Sequence, residues 1–422
     1  MTKIQDIYAH EIIDSRGNPT IEVSVLTDTG AFGTASVPSG ASTGKFEDVE
    51  LRDGDQNRYQ GMGVLKAVAI VMNEFRPKLI GFEVEDQETL DQTLIKIDDS
   101  DNKTRLGANA ALGVSIAVIK AAAAAAGKPL FVYINDKYAG DIPLAVPAPL
   151  FNLINGGKHG AGNLDFQEFW VIPSTRFSFA QALQVGTETA HNLKVELIHR
   201  NAIHSVGDEG GFAPNLFTNS DALELLALVI KSSQYRLNGD VFLGLDVAAD
   251  SFYQDKKYTL KDSPKPLDRD ALIEFFAKLA IEYQLFGLED PIDQEDWSGW
   301  KTLKSRLPGS TIVIGDDLIT TNKARLQQAI EEQSISGVII KPNQIGTLTE
   351  TIEVVKLAQA NKIYTIASHR SGDTNDTFIA DFAVGLGLNF AKFGAPNRGE
   401  RVGKYNRLLE IEQYLASRTS HA

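Results

Sequence analysis

The chain has 422 residues, 43% of them hydrophobic and 23% charged, and its 41 Lys plus Arg against 55 Asp plus Glu give a formal net charge of −14. That balance argues against nucleic acid as a partner, while the length supports one large domain or two ordinary ones with a sizeable core. The absence of cysteine excludes disulfides, thiolate metal sites, iron–sulfur clusters and a Cys nucleophile together.

The opening MTKIQDIYAHEIID lacks the cationic start and apolar stretch of a secretory signal, so a cytoplasmic location is expected. Residues 20 to 37 alternate Ile21, Val23 and Val25 with Glu22 and Ser24, turn at Asp28-Thr29-Gly30 and return through Phe32 to Val37, which predicts an antiparallel hairpin. Val64, Val68, Val71 and Phe75 then share one helical face, and Pro77 is expected to end that helix. Gly107 to Ala126 is apolar nearly all round, as suits a helix buried on several sides. It is half alanine and contains Lys120, so it falls short of the roughly 18 strongly apolar residues of a membrane span, and no integral membrane segment is expected. Residues 1–135 therefore read as an α+β domain of antiparallel strands plus helices, with Asp141 to Pro149 as the connection out of it.

From 136 to 422 the pattern changes, because short apolar runs alternate with amphipathic stretches and each run ends in a polar or charged residue. The six clearest runs end at Asp246, Glu289, Asp316, Lys341, His369 and Lys392, at intervals of 43, 27, 25, 28 and 23 residues. A strand, loop, helix and return loop take about that many residues, so a parallel βα series is predicted. With Phe166 to Ile172 and Ala202 to Val206 as earlier strands, about eight strands suit a closed α/β barrel, whose chemistry sits at the carboxyl ends of its strands.

Those six ends would converge on one mouth. Asp246, Glu289 and Asp316 crowd like charges and call for a cation; three hard oxygen ligands without Cys favour Mg²⁺. Lys341, His369-Arg370 and Lys392 form a cationic half opposite, which suits an anionic substrate, and the planar fork of Arg370 suits phosphate or carboxylate. Lys341 reads either as a counter-ion or as a base. As a base it needs its pKa of about 10.4 lowered, which Mg²⁺ and Lys392 would do. The Gly-rich segments Ser39 to Lys45 and Asn155 to Gly162, the latter carrying His159, read as closing loops or as ordinary turns. The first fails the Walker pattern at Ser39 and Phe46. Asp208-Glu209 and Gln167-Glu168 add carboxylates beside strands.

Several longer motifs occur in order: Asp14-Ser-Arg-Gly-Asn-Pro-Thr20, Ser39-Gly-Ala-Ser-Thr-Gly44, Gly207-Asp-Glu-Gly-Gly-Phe-Ala-Pro-Asn215, Leu288-Glu-Asp-Pro291, Gly315-Asp-Asp-Leu318, Lys341-Pro-Asn-Gln-Ile-Gly346 and Ser368-His-Arg-Ser-Gly372. Through them the sequence resembles the enolases, the 2-phospho-D-glycerate hydro-lyases of glycolysis and gluconeogenesis, over essentially its full length. The resemblance implies an eight-stranded TIM-like barrel of enolase type behind the N-terminal domain, a small phosphorylated substrate and two Mg²⁺ ions per active site. It implies that Asp246, Glu289 and Asp316 hold the first ion and that Ser39 helps hold the second. It further implies Lys341 as the base at C2 and Glu209, with Glu168 beside it, as the acid for the C3 hydroxyl. His159, Gln167, His369, Arg370, Ser371 and Lys392 match substrate-binding positions. A homodimer or a ring of dimers is expected by the same analogy.

The match departs at Phe393, where a small or polar residue is expected, and at Gly399, where the family often has serine; both bear on packing behind Lys392. His10, His191, His199, His204 and His421 match no motif position and read as structural or surface residues. Two other readings stand beside the enolase one. An idle scaffold would be favoured by loss of a metal acid or of Lys341, and neither is lost. A sister enzyme acting on other carboxylates is opposed by the Arg370-Ser371 pair.

Overall fold

The computed structural model describes residues 1–41, 44–160, 162 and 164–419, with Thr419 by its backbone alone. Strands β1 (Ile4–Ile13), β2 (Pro19–Thr27) and β3 (Phe32–Ser36) form an antiparallel sheet in that order. The predicted hairpin is β2 and β3. Ile21, Val23 and Val25 all point inward and are fully buried, as period-two alternation requires. Strand β1, which the sequence reading passed over, adds Ile7 and Ala9 to the same face and leaves Tyr8 exposed.

The helix expected to stop at Pro77 instead runs on. Leu65–Ile70 passes into a π-helical turn over Val71–Phe75 and then into Arg76–Leu79. The wide turn closes with the Arg76 N–H on the Val71 carbonyl and places Pro77 in a fresh first turn, where its missing N–H costs nothing. After Gln87–Asp98 comes the apolar helix Ala108–Ala125, 83% buried within the protein. It can lie against the sheet because Gly33 has no side chain: a Cβ there would fall 2.2 Å from the Ala117 carbonyl oxygen.

The second part is a closed barrel of eight strands that follow one another in chain order: β4 (Ala148–Asn155), β5 (Glu168–Pro173), β6 (Val241–Asp246), β7 (Gly287–Glu289), β8 (Ile312–Gly315), β9 (Gly337–Ile340), β10 (Tyr364–Ser368) and β11 (Phe390–Lys392), which closes on β4. Two expectations are corrected. Ala202 to Val206 is no barrel strand; its Val206 makes a single bridge to Phe212. The eighth strand is β4, which begins inside the proline-rich stretch read as a connection, because prolines at the start of a strand are tolerated there. The series is also not wholly parallel, since β5 runs antiparallel to both β4 and β6.

That reversal decides where Glu168 lies. As the first residue of an inverted strand it sits at the same mouth as the last residues of the others, in register with Asp246. Alternation does the rest. The lumen is filled by Leu150, Trp170, Ile172, Ile312, Ile314, Ile339, Ile366 and Phe390, and Trp170 fits because Gly244 is bare: a Cβ there would lie 2.8 Å from its ring. Continuing the same parity by two residues aims Glu168, Asp246, Glu289, Asp316, Lys341 and Lys392 inward.

The two parts meet at a buried polar seam. Thr349, at the start of the Leu348–Ala360 helix, donates from its N–H and its hydroxyl to Asp91, at 2.9 and 2.7 Å. Lys103 reaches Asp48 at 2.8 Å and Glu350 at 2.9 Å. Burial pushes the Asp91 carboxyl up to about 6 despite its donors. A carboxyl raised in the folded state binds its proton more tightly there than when unfolded, so it weakens the fold as pH climbs from about 4 through about 6, by about 3 kcal/mol in all. Asp91→Asn should therefore gain stability relative to the parent protein across that range. Thermal midpoints of the two proteins between about pH 4 and pH 7 measure it, and a difference that does not change with pH would contradict it.

Candidate active site

At the barrel mouth, Glu168, Asp246 and Glu289 occupy one row across β5, β6 and β7. Like charges on neighbouring strands repel, and here they are nearly sealed from water. Lys392, at the end of β11, reaches all three, with Nζ 3.3 Å from Glu168, 3.2 Å from Asp246 and 2.9 Å from both oxygens of Glu289. Burial opposes its ammonium, but the surrounding carboxylates outweigh that and hold its pKa well above the ordinary lysine range. One cation does not balance three acids. Burial and the neighbouring Asp246 still drive Glu289 well above the usual carboxylate range.

Lys341 follows β9 and forms an ion pair with Asp316, which follows β8. The lowered lysine pKa was expected beside Mg²⁺; the protein groups taken alone act in the other direction. Burial, Arg370 and Lys392 do disfavour the ammonium, but the Asp316 carboxylate outweighs them and raises it. Asp316 is correspondingly held below its usual range by Lys341 and Lys392, against burial. Asp290 accepts the backbone N–H groups of Asp316 and Asp317, at 3.0 and 2.8 Å, which fixes the turn that carries Asp316.

Opposite lies a pair of carboxylates with unequal surroundings. Burial and the adjacent Glu209 drive Glu168 well above the usual range, although Lys392 opposes this. Burial also penalises a charged Glu209, but the imidazoles of His159 and His369 outweigh it and hold Glu209 well below the usual range. Their nitrogens lie 3.3 and 3.4 Å from Glu209 Oε1, and the Asn152 amide donates to Oε2 at 3.1 Å. Of the pair, Glu168 is thus the member whose surroundings favour the proton and Glu209 the one whose surroundings favour the charge. The loop carrying Glu209 turns at Gly210, whose φ of +87° favours glycine.

The remaining assigned residues divide. Gln167 donates to Asp246 at 3.2 Å and lines the same cavity. Arg370 and Ser371 line it too. The fork of Arg370 is filled by the carboxylate of Glu47, at 3.0 and 3.2 Å, and Ser371 accepts the Ala41 N–H at 2.6 Å. Ser39 is not brought to the acids. Its hydroxyl donates to Glu50 at 2.9 Å and accepts from Arg52 at 2.9 Å, and its backbone bridges to Gly372. Of the two Gly-rich segments, Ser42, Thr43, Ala161 and Asn163 lie outside the described residues.

The sequence reading missed Glu47, Asn152, Asp290 and Arg401. Asn152 was legible in principle, since it shares lumen parity with Leu150, but β4 had not been recognised. The two departures are accommodated. Phe393 is fully buried against Tyr405, ring centroids 5.9 Å apart, and a Cβ on Gly399 would meet nothing within 4 Å. His191, His199 and His204 are exposed, His10 is half-buried beside Glu22, and His421 lies outside the described residues.

The donor set fits a hard divalent cation. Glu289, Asp290 and Asp316 each offer an oxygen within 4.8 Å of the others, and Asp246 shares Lys392 with Glu289. Acids outnumber bases around the cavity, and oxygen is the only ligand type those four offer. A cation on Asp316 would also withdraw from Lys341 the charge that keeps it protonated.

Two family models match the chain: the N-terminal domain of enolase over residues 4–134, and the C-terminal TIM barrel domain of enolase over residues 143–422. The barrel, the row of acids at its mouth and these two matches in succession agree, and the chain belongs to the enolase family.

Proposed function

We propose that the protein is a Mg²⁺-dependent lyase that reversibly dehydrates 2-phospho-D-glycerate to phosphoenolpyruvate. The observation that carries this reading is the opposition of Lys341 to the Glu168–Glu209 pair across one cavity. In a ring of eight strands, β9 and β5 are four places apart, so proton removal and hydroxyl loss take place on opposite faces of a bound substrate.

Lys341 takes the proton from C2. Because C2 adjoins an ionised carboxylate, the electrons released add charge to a group that is already negative, and Lys392 faces that charge from the barrel axis. Held by Asp246, Glu289 and Asp316, with a second ion drawing on Ser39 after that residue leaves Glu50, Mg²⁺ would supply Lewis-acid stabilisation of the same charge. Hydroxide is a poor leaving group, so the C3 oxygen must be protonated as it departs. Glu209 is the acid in contact with that oxygen, and the proton it passes on resides on Glu168 in the resting site. Arg370 and Ser371 bind the phosphate once Glu47 yields the guanidinium fork, a bidentate geometry that carboxylate and phosphate share. His159, Gln167 and His369 complete the contacts to substrate. Glycolysis and gluconeogenesis, the cytoplasm, and a homodimer or ring of dimers go with this reading and rest on family membership.

Purified protein with Mg²⁺ and 2-phosphoglycerate should generate the ultraviolet absorbance of an enolpyruvate, and EDTA should stop it. Absence of turnover under those conditions would refute the proposal. The two catalytic roles separate by isotope exchange. Lys341→Ala should lose exchange of the C2 proton with solvent, by roughly 10²- to 10⁴-fold. Glu209→Gln should keep exchange and lose dehydration; normal exchange in both variants would show that Lys341 is not the base.

A further inference from the structure

Five of the six polar strand ends are oriented by strand parity, and His369 is not. At the end of β10 the lumen-facing position belongs to Ser368, which is in register with Lys392. His369 comes one residue later and needs another device to aim it. That device is Arg401, in the first turn of the Gly399–Thr419 helix, whose side chain is wholly buried.

We propose that Arg401 is a positioning residue that locks His369 as the neutral tautomer with its hydrogen on Nε2, directed at Glu209. The two shortest contacts of Arg401 Nη1 are the Arg370 carbonyl at 2.6 Å and His369 Nδ1 at 2.7 Å. Guanidinium nitrogens only donate, so Nδ1 must accept and cannot carry hydrogen. In the neutral ring the hydrogen then sits on Nε2, which lies 3.4 Å from Glu209 Oε1. A charged imidazolium would set an N–H against the guanidinium, so protonation of His369 is blocked. Gly394 packs against the edge of the ring, where a Cβ would lie 2.9 Å from Cε1, and limits its freedom to turn. Arg401 Nη2 also holds the Ser371 carbonyl at 2.7 Å and the Asp208 carbonyl at 3.1 Å, tying the segments that carry the phosphate pair and Glu209 to one side chain.

The charged groups facing the ring are Glu209, Arg401 and Asp373, the last paired with Lys404. Burial and Arg401 push the His369 pKa down to about 4 although Glu209 favours the charged form. The histidines flanking Glu209 therefore differ. His159 stands in a Gly-rich segment, whereas His369, held by Arg401, presents a fixed N–H toward Glu209 Oε1, 3.4 Å away. In the proposed dehydration, on which this role rests, the acid pair is then confined to Glu168 and Glu209.

The tautomer is directly readable. In two-bond ¹H–¹⁵N correlation spectra of the full-length protein without substrate, with the His369 signals assigned by their loss in His369→Asn, Nδ1 should be unprotonated and Nε2 protonated. Both should stay so from about pH 5.5 to about pH 8. Hydrogen on Nδ1, or titration of the ring in that range, would overturn the proposal whether or not the protein turns over 2-phosphoglycerate. Arg401→Met should release the lock, lower dehydration roughly 100-fold and leave C2 exchange within a few-fold, and Arg401→Lys should restore part of the loss. Equal losses of exchange and dehydration with the tautomer unchanged would contradict it. If Arg401→Met does not fold, the spectrum of the unaltered protein still decides.

Discussion

Three carboxylates on adjacent strands, in one row and almost without solvent, are an arrangement that a folded chain tolerates only if something positive sits among them. Two unit charges about 4 Å apart interact by about 4 kcal/mol even at an effective dielectric near 20. Lys392 stands within 3.3 Å of Glu168, Asp246 and Glu289, and the remaining repulsion shows in the upward drive on the carboxyl groups of Glu168 and Glu289. A single ammonium leaves residual negative charge, and a hard cation removes it. Stability and the capacity of these buried acids to accommodate a metal ion are thus two aspects of one electrostatic imbalance.

The row exists because one strand is reversed. Had β5 run parallel to its neighbours, its first residue would lie at the far end of the barrel and Glu168 would be 15 to 20 Å from Asp246, judged from a rise of about 3.3 Å per residue over its length. The same strand carries Trp170 into the lumen. The indole donates to Glu168 Oε2 at 2.8 Å, and its ring lies 5.1 Å from Lys392 Nζ. One apolar side chain therefore fills the space opened by Gly244, orients a carboxyl group and faces an ammonium. The row of acids, the carboxyl pair and the lysine that joins them are built on this filled lumen.

Much of this was legible in the sequence because β-strand parity is visible there. Phe242, Gly244 and Asp246 alternate with Leu243 and Leu245, and a reader who sees six such runs can infer one mouth. What was not legible depended on facts that are nonlocal or that contradict a local rule. Pro147 and Pro149 read as a linker, yet β4 starts among them because its pairing with β11 is set by closure of the barrel. Pro77 reads as a stop, yet a π turn absorbs it. Glu47 and Arg370 are 323 residues apart, and Arg401 meets His369 across 32, so no period in the chain announces either contact. The expectation for Lys341 counted the cations around it and left out the carboxylate of Asp316 lying against it, a contact no local pattern announces.

The acid pair shows why two neighbouring carboxyl groups can do what one cannot. A group that protonates departing hydroxide must hold a proton near neutral pH, while a group that touches substrate must be fixed in place by donors, and donors favour the ionised form. A single carboxyl cannot satisfy both demands. Here they are divided. Glu168 lies in the row of acids, where burial and Glu209 keep it protonated in spite of Lys392. Glu209 faces His159, His369 and Asn152, which keep it ionised and aligned. In the proposed dehydration, a proton moving from the first to the second reaches the substrate from a fixed position, and its replacement depends on Glu168 regaining one. The burial and the neighbouring Glu209 that keep Glu168 protonated thus also store, in that proposed reaction, the proton for the leaving group.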